Sequence, residues 1–134
     1  MATTAGIEHN INELQDVLEQ VIEKNVGKES TIMKVITLDI LSQTVKNTRV
    51  DTGALRNNWQ VSRNLRNKTD VKSKNYDKTG RRSISKGKRV TATIKATDII
   101  YIQNNLDYAE TYERKDKMLQ NAIKKVTRDL SNGR

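Results

Sequence analysis

Asp51 lies in Val50-Asp51-Thr52-Gly53-Ala54, where Gly53 permits tight backbone geometry beside a carboxylate. Such a carboxylate performs acid–base chemistry when a second one shares its proton, each held in a rigid, buried loop that follows an apolar strand. Here the preceding residues are Lys46-Asn47-Thr48-Arg49, which are polar or charged. Other chemistries are constrained by composition. With no cysteine there is no thiolate nucleophile, zinc–thiolate site or disulfide framework. His9 is the single histidine, which removes Ser-His-Asp constellations and any two-imidazole site within one chain. It also falls off the Ile7-Ile11-Leu14-Leu18 stripe, which marks a solvated helix position. Asp107, Glu110 and Glu113 could be drawn as a magnesium site, but acids at a helix N-terminus have an ordinary dipole explanation, which we prefer. No catalytic, cofactor or metal residue is therefore assigned.

The same Asp51 segment joins two structural patterns. Asp51 or Thr52 can cap a short helical turn, Leu55 can tuck beneath it, and Arg56 stays within reach of Asp51. Trp59 and Val61 then fall on one side, with Gln60 and Ser62 on the other, as in a strand. Val-Asp-Thr-Gly-Ala resembles the catalytic loop of retroviral-type aspartic proteases, which place one loop in each subunit of a homodimer. That family carries a second apolar-apolar-Gly element, whereas Gly6, Gly27, Gly80, Gly87 and Gly133 all lack such a context. The protease is kept as a remote alternative.

A broader resemblance covers most of Val50 to Leu130. Asp51-Thr52-Gly53-Ala54-Leu55-Arg56 resembles the Asp-Thr-Gly-x-Leu-Arg signature of the tail-completion, or head–tail joining, proteins of tailed bacteriophages. In that family a Tyr-Ala dipeptide precedes a Glu and an amphipathic C-terminal helix follows. Tyr108-Ala109-Glu110-Thr111-Tyr112-Glu113 and then Met118 to Leu130 keep this order. The chain departs in carrying Arg114 where members often have Gly, and in having no proline. The resemblance implies a non-enzymatic virion protein forming a ring of six copies in the neck, around the DNA path. It implies structural roles for Asp51, Thr52, Gly53, Leu55, Arg56, Trp59, Tyr108, Ala109 and Glu113. The implied partners are copies of itself and the neighbouring neck, connector and tail-tube proteins. The implied location is the virion, with the host cytoplasm during assembly.

Charge is segregated. Arg63 to Arg89 holds eleven bases, Arg63, Arg66, Lys68, Lys72, Lys74, Lys78, Arg81, Arg82, Lys86, Lys88 and Arg89, against Asp70 and Asp77. That excess equals the net charge of the whole chain, +9, so the remainder is neutral. Within the segment only Leu65, Val71, Tyr76 and Ile84 are apolar, too little to offset an ordering cost of about 1–2 kcal/mol per residue. The segment reads as a basic arm between two strands. A solvated loop is one reading of it, contact with genomic DNA a second, and docking on an acidic neighbouring ring a third. We favour docking, because Tyr76 is the only aromatic available to stack on bases. A nucleic-acid-binding module using this arm is the main alternative function.

The supporting elements follow from periodicity. Ile7, Ile11, Leu14, Leu18, Val21 and Ile22 predict a helix over Ile7–Asn25, with Gly27 as its stop. Met33, Ile36, Ile40 and Val45, with Ile32, Val35, Leu38 and Leu41, predict a central helix over Ser30–Lys46 with a broad buried surface. Val90-Thr91-Ala92-Thr93-Ile94-Lys95-Ala96 alternates as a strand and should pair with the Trp59 strand, with Ile99–Gln103 as a third strand after a Thr97-Asp98 turn. Asp107 and Glu110 form a capping box for the last helix, whose stripe is Leu119, Ala122, Ile123, Val126 and Leu130. The expected fold is a single α+β domain over residues 1–134. It has two N-terminal helices, a three-stranded antiparallel sheet with a long basic hairpin arm at 63–89, and a C-terminal helix. The core should be small and aliphatic, since the chain has one Trp, four Tyr and no Phe. The longest apolar run, Ile99 to Ile102, is far below the roughly 18 residues of a membrane span, and Met1–Glu8 lacks the pattern of a secretory signal.

Overall fold

The computed structural model describes residues 5–133, with side chains from His9 onward, so all of Met1–Glu8, Ile7 of the first stripe included, lies outside the described side chains. Helix α1 spans Ala5–Lys24 and α2 spans Glu29–Asn47, both within two residues of the ends expected from periodicity. Gly27 sits between them with φ +87°. A short turn, α3 (Ala54–Asn57), leads into strand β1 (Trp59–Arg63). Helix α4 (Arg81–Thr91) precedes strand β2 (Ile100–Asn104), and two helices, α5 (Ala109–Asp116) and α6 (Met118–Ser131), end the chain. The architecture is a mostly helical α+β fold with one two-stranded antiparallel sheet.

Helix α6 packs against both α1 and α2, while α2 also meets α4 and β1. This makes α2 the central helix. Its Leu41 and Val45 are fully buried, with Ile36 and Ile40 beside them, although Val35 is 56% exposed. From α6 come Met118, Leu119, Ala122, Ile123 and Val126, with Leu130 partly buried at the edge. The core is aliphatic around Trp59, and threonines are admitted because each hydroxyl returns to its own helix. Thr44 donates to the Ile40 carbonyl at 2.7 Å and Thr127 to that of Ile123 at 2.7 Å.

The expected three-stranded sheet is corrected to two strands. Trp59 pairs with Asn104 and Arg63 with Ile100, so the third expected strand is the direct partner of the first. Val90–Ala96 is not a strand: Val90 and Thr91 close α4, and Thr93 and Ile94 turn back on Val90 and Thr91 by backbone bonds. The reason is a stripe of small residues, Ser83, Gly87 and Thr91, at the i, i+4 spacing of a helix face. It lets α4 lie close on α2, and a Cβ at Gly87 would stand 2.1 Å from Leu41 Cδ2. A two-stranded ribbon is marginal by itself, and α4 against β1 supplies its cover.

The basic segment is likewise not a free hairpin arm. Its second half is α4, and its first half, residues 64–80, is irregular but tied down. Asn58 accepts the Val71 N–H at 2.7 Å and donates to the Val71 carbonyl at 3.2 Å. Gln60 donates to the Thr69 carbonyl, and Gln103 Oε1 accepts the Asn67 N–H. The ordering cost is therefore met by amide side chains mimicking a backbone ladder. Counting apolar residues alone overlooked them. Among the described residues no helix is long and apolar enough to cross a membrane.

The last helix of the expected layout is two helices, α5 and α6, divided at Lys117 in left-handed geometry (φ 52°). The Asp107–Glu110 capping box is not formed. Tyr108 is the N-cap of α5 without a side-chain bond, and Glu110 pairs with Arg114 at 3.0 Å.

Candidate functional site

The Asp51–Trp59 joint is built around the end of α2. Gly53 takes φ +92°, and a Cβ there would meet Tyr76 Cβ at 3.0 Å, so both the turn and the close approach require glycine. Thr52 Oγ1 accepts the Ala54 N–H at 3.2 Å, and Leu55 is buried below. Arg56 does not reach for Asp51. Its Nε donates to the Thr48 carbonyl at 2.7 Å, Nη1 to that of Lys78 at 3.1 Å and Nη2 to that of Lys46 at 3.4 Å. The guanidinium thus satisfies carbonyls left open at the end of α2 and clamps the returning loop to it. Trp59 is 4% exposed, and its Nε1 donates to Thr48 Oγ1 at 2.8 Å.

The three donors of an ammonium share one nitrogen and cannot span carbonyls that Nε, Nη1 and Nη2 reach separately, so Arg56→Lys should cost about 2 kcal/mol, read as a lower urea midpoint from the fluorescence of Trp59. A change below a few tenths would show the clamp to be idle.

Asp51 itself is exposed, makes no side-chain hydrogen bond or ion pair among the described residues, and follows a helix rather than an apolar strand. The rigid, buried setting that a shared-proton pair needs is not built around it.

The second motif converges on the first. Arg49 holds Asp116 with Nε and Nη2 at 2.7 and 2.8 Å, and lies over the Tyr112 ring at 4.6 Å. Asn47 donates to the Met118 carbonyl at 3.1 Å, and Asn104 donates to the Leu55 carbonyl at 2.8 Å. Tyr112 and Tyr108 meet edge to face at 5.8 Å. The Tyr108 phenol is pushed above its usual range, first by partial burial and then by the nearby Tyr76, Tyr112, Asp51 and Asp70, all of which disfavour a phenolate. Ala109 is in the core, while Tyr108 is 43% and Val50 47% exposed. Tyr108 and Asp51, one from each motif, are near enough for the Asp51 charge to act on the phenol. Glu113 is buried and accepts the N–H groups of Leu119 and Gln120 at 2.9 and 3.1 Å, capping α6. Asp107, Glu110 and Glu113 have separate surroundings, and no metal-holding group of acids or histidines occurs among the described residues.

The eleven bases of the segment divide. Arg63 is paired with Asp98 at 2.7 Å, Arg66 lies over the Tyr101 ring at 5.3 Å, and Arg82 reaches the Asn75 carbonyl at 3.4 Å. Lys68, Lys72, Lys74, Lys78, Arg81, Lys86, Lys88 and Arg89 are exposed with no ion pair among the described residues. Arg81, Arg82, Lys86, Lys88 and Arg89 share the outward side of α4.

Acid sensitivity follows from three carboxylates held below their usual range. For Asp98 the Lys95 N–H is the main cause, ahead of Asn64 and Arg63; for Asp77 it is the Thr79 hydroxyl, then the Arg82 N–H; for Asp116 it is Arg49. A depressed folded pKa contributes stability that is present above the unfolded value, about 3.9, and is lost as pH falls through the folded value. Stability should thus decline below about pH 4, and Asp98→Asn should flatten that decline in urea melts taken from pH 6 downward. An unchanged acid limb in the variant would contradict the assignment.

Missed in the sequence were Arg49, Asn57, Asn58 and Asn104. The signal for the first three was a base and two amides flanking the Asp-Thr-Gly turn, where Asn57 donates to the Gly53 carbonyl at 2.8 Å, whereas Asn104 has no signal near that turn. Comparison with protein-family models, with curated proteins and with solved structures gives no match.

Proposed function

We propose that this protein is a structural component of a tailed-phage virion, a ring in the neck that completes the tail and joins or seals it to the head. The observation that carries the reading is that the chain leading into the first family-like motif packs on the helix of the second. Asp51-Thr52-Gly53-Ala54-Leu55-Arg56 and Tyr108-Ala109 to Glu113 are far apart in sequence, yet Arg49, two residues before the first, holds Asp116 and lies over Tyr112 of the second. Arg56 and Glu113 hold backbone groups and Trp59 holds the Thr48 hydroxyl, while Val50 and Tyr108 remain exposed. Buried staples beneath an exposed aliphatic and aromatic pair suit a subunit contact. The face then meets a neighbouring copy in a ring of six, and other surfaces meet the connector and tail-tube layers.

A head-to-tail contact closes into a ring when its rotation permits, so copies in the ring present unlike faces to each other. Nothing is turned over in this reading. The test is a phage lacking the chain, complemented in trans. Filled heads and separate tails should accumulate, and imaging of complemented particles should place the protein at the neck. Normal joined particles without it, or peptide-bond hydrolysis by the purified protein that Asp51→Asn abolishes, would overturn the proposal.

A nucleic-acid-binding role is the second reading, and the uniformly basic outward side of α4 favours it.

A further inference from the structure

The outward side of α4 is a rigid row of cations with no apolar residue to serve an interface core. Ser83, Gly87 and Thr91 face inward, and Arg81, Arg82, Ser85, Lys86, Lys88 and Arg89 are exposed. Five of these six are bases, and α4 contains no acid. The helix is fixed to the body by Gly87 against Leu41 and by the Ser83 hydroxyl donating to the Trp59 carbonyl at 2.5 Å. Its side chains therefore project from a preset frame, and binding need not first order the backbone.

We infer that this face binds the phosphate backbone of duplex nucleic acid, without reading sequence. Three features select that partner. Protein interfaces centre on apolar and aromatic anchors and are depleted of lysine, so an acidic protein would find no core here. Phosphate contacts need only bases and small hydroxyl donors, which is the composition of this side, Ser85 included. The face has no aromatic ring on which the bases of a single strand could stack. From Arg81 to Arg89 the row runs ~12 Å along the helix, a length over which a duplex presents about seven charges.

The contact is lateral rather than end-on. Asp77 Oδ2 accepts the Arg82 N–H at 3.1 Å and Thr79 Oγ1 the Arg81 N–H at 3.2 Å, so the first turn of α4 is already occupied by the chain's own oxygens. The inference rests on and deepens the second, nucleic-acid-binding reading, and is independent of the ring. A ring can fail while the face still binds, and the face can fail in a protein that still joins heads to tails.

The test is anisotropy titration of a labelled 24-base-pair DNA with the full chain at several salt concentrations. Five neutralised phosphates predict a slope of about −4.5 for log Kobs against log salt. Lys86→Gln alone should reduce the slope by about 0.9, and Arg81, Arg82, Lys86, Lys88 and Arg89 changed together to Gln should weaken binding at least 100-fold at low salt. The control changes Lys68, Lys72 and Lys74 to Gln and should leave the slope within about one unit. If the fivefold variant fails to fold by Trp59 fluorescence, the five single variants decide, each expected to lower the slope alike. No binding to duplex at low salt, a slope lost with the loop variant instead of the α4 variants, tighter binding to single-stranded DNA, or tighter binding to polyglutamate at equal salt would each overturn the inference.

Discussion

Gly80→Ala is expected to lower stability by about 2–5 kcal/mol, combining left-handed strain of about 1–2 with overpacking of about 1–3. Gly80 is the N-cap of α4 at φ +78°, and a Cβ there would stand 2.3 Å from Val45 Cγ1. Val45 is fully buried on the central helix and has nowhere to move. Gly27→Ala separates the two contributions. Gly27 has a similar φ of +87° with nothing within 4 Å of its added carbon, so it should show the strain alone. In the Gly80→Ala background, Val45→Ala should cost less than it does in the parent, because it removes the clash. Urea unfolding followed by Trp59 fluorescence reads the four variants against the parent. Equal losses for the Gly27 and Gly80 variants would show that α4 is not seated on α2 at this point.

Removal of the Glu113 carboxylate has the second large expected effect. Glu113→Ala leaves the buried Leu119 and Gln120 N–H groups without an acceptor and should cost about 3 kcal/mol, the range for charged hydrogen bonds lost from a buried site. Lys117, in left-handed geometry just before α6, offers no side-chain cap in its place. The first turn of α6 carries Met118, fully buried, and Leu119, so a loosened cap exposes core residues that face α1 and α2. Glu113→Gln keeps one acceptor and should lose about half as much. Amide exchange at Leu119 and Gln120 should quicken in the Ala variant before the rest of α6 does. A loss below about 1 kcal/mol would show that water caps the helix equally well.

The periodic elements were legible because their signal is local. Each turn of α1, α2 and α6 repeats its apolar positions within the element, so Leu14, Leu18, Ile36, Ile40 and the Leu119–Val126 stripe announce buried faces before any partner is known. The inward setting of Trp59 and Val61 is similarly a two-residue alternation. Partner choice has no such signature. Val90–Ala96 alternates well enough for a strand, yet its first residues belong to α4, because Gly87 fits against Leu41 and Val61 and Ser83 bonds to the Trp59 carbonyl. Asp77 and Thr79 start that helix with their own oxygens, a capping signal hidden inside a run of bases.

The motif residues divide along the same line. That Gly53 must be glycine and that Leu55 tucks under the turn follow from turn geometry. That Arg56 clamps carbonyls of residues 46, 48 and 78 instead of pairing with Asp51 depends on where the loop returns. The sequence alone determined which segments are amphipathic, where net charge collects and which chemistries lack their residues, since each is a property of residue type and near-neighbour spacing. Only the tertiary structure decided that the basic segment is half helix and half tethered loop, and that Arg49 closes on Asp116 and Tyr112. Those outcomes are set by contacts between distant residues, whose free energies appear only once the chain has brought them together.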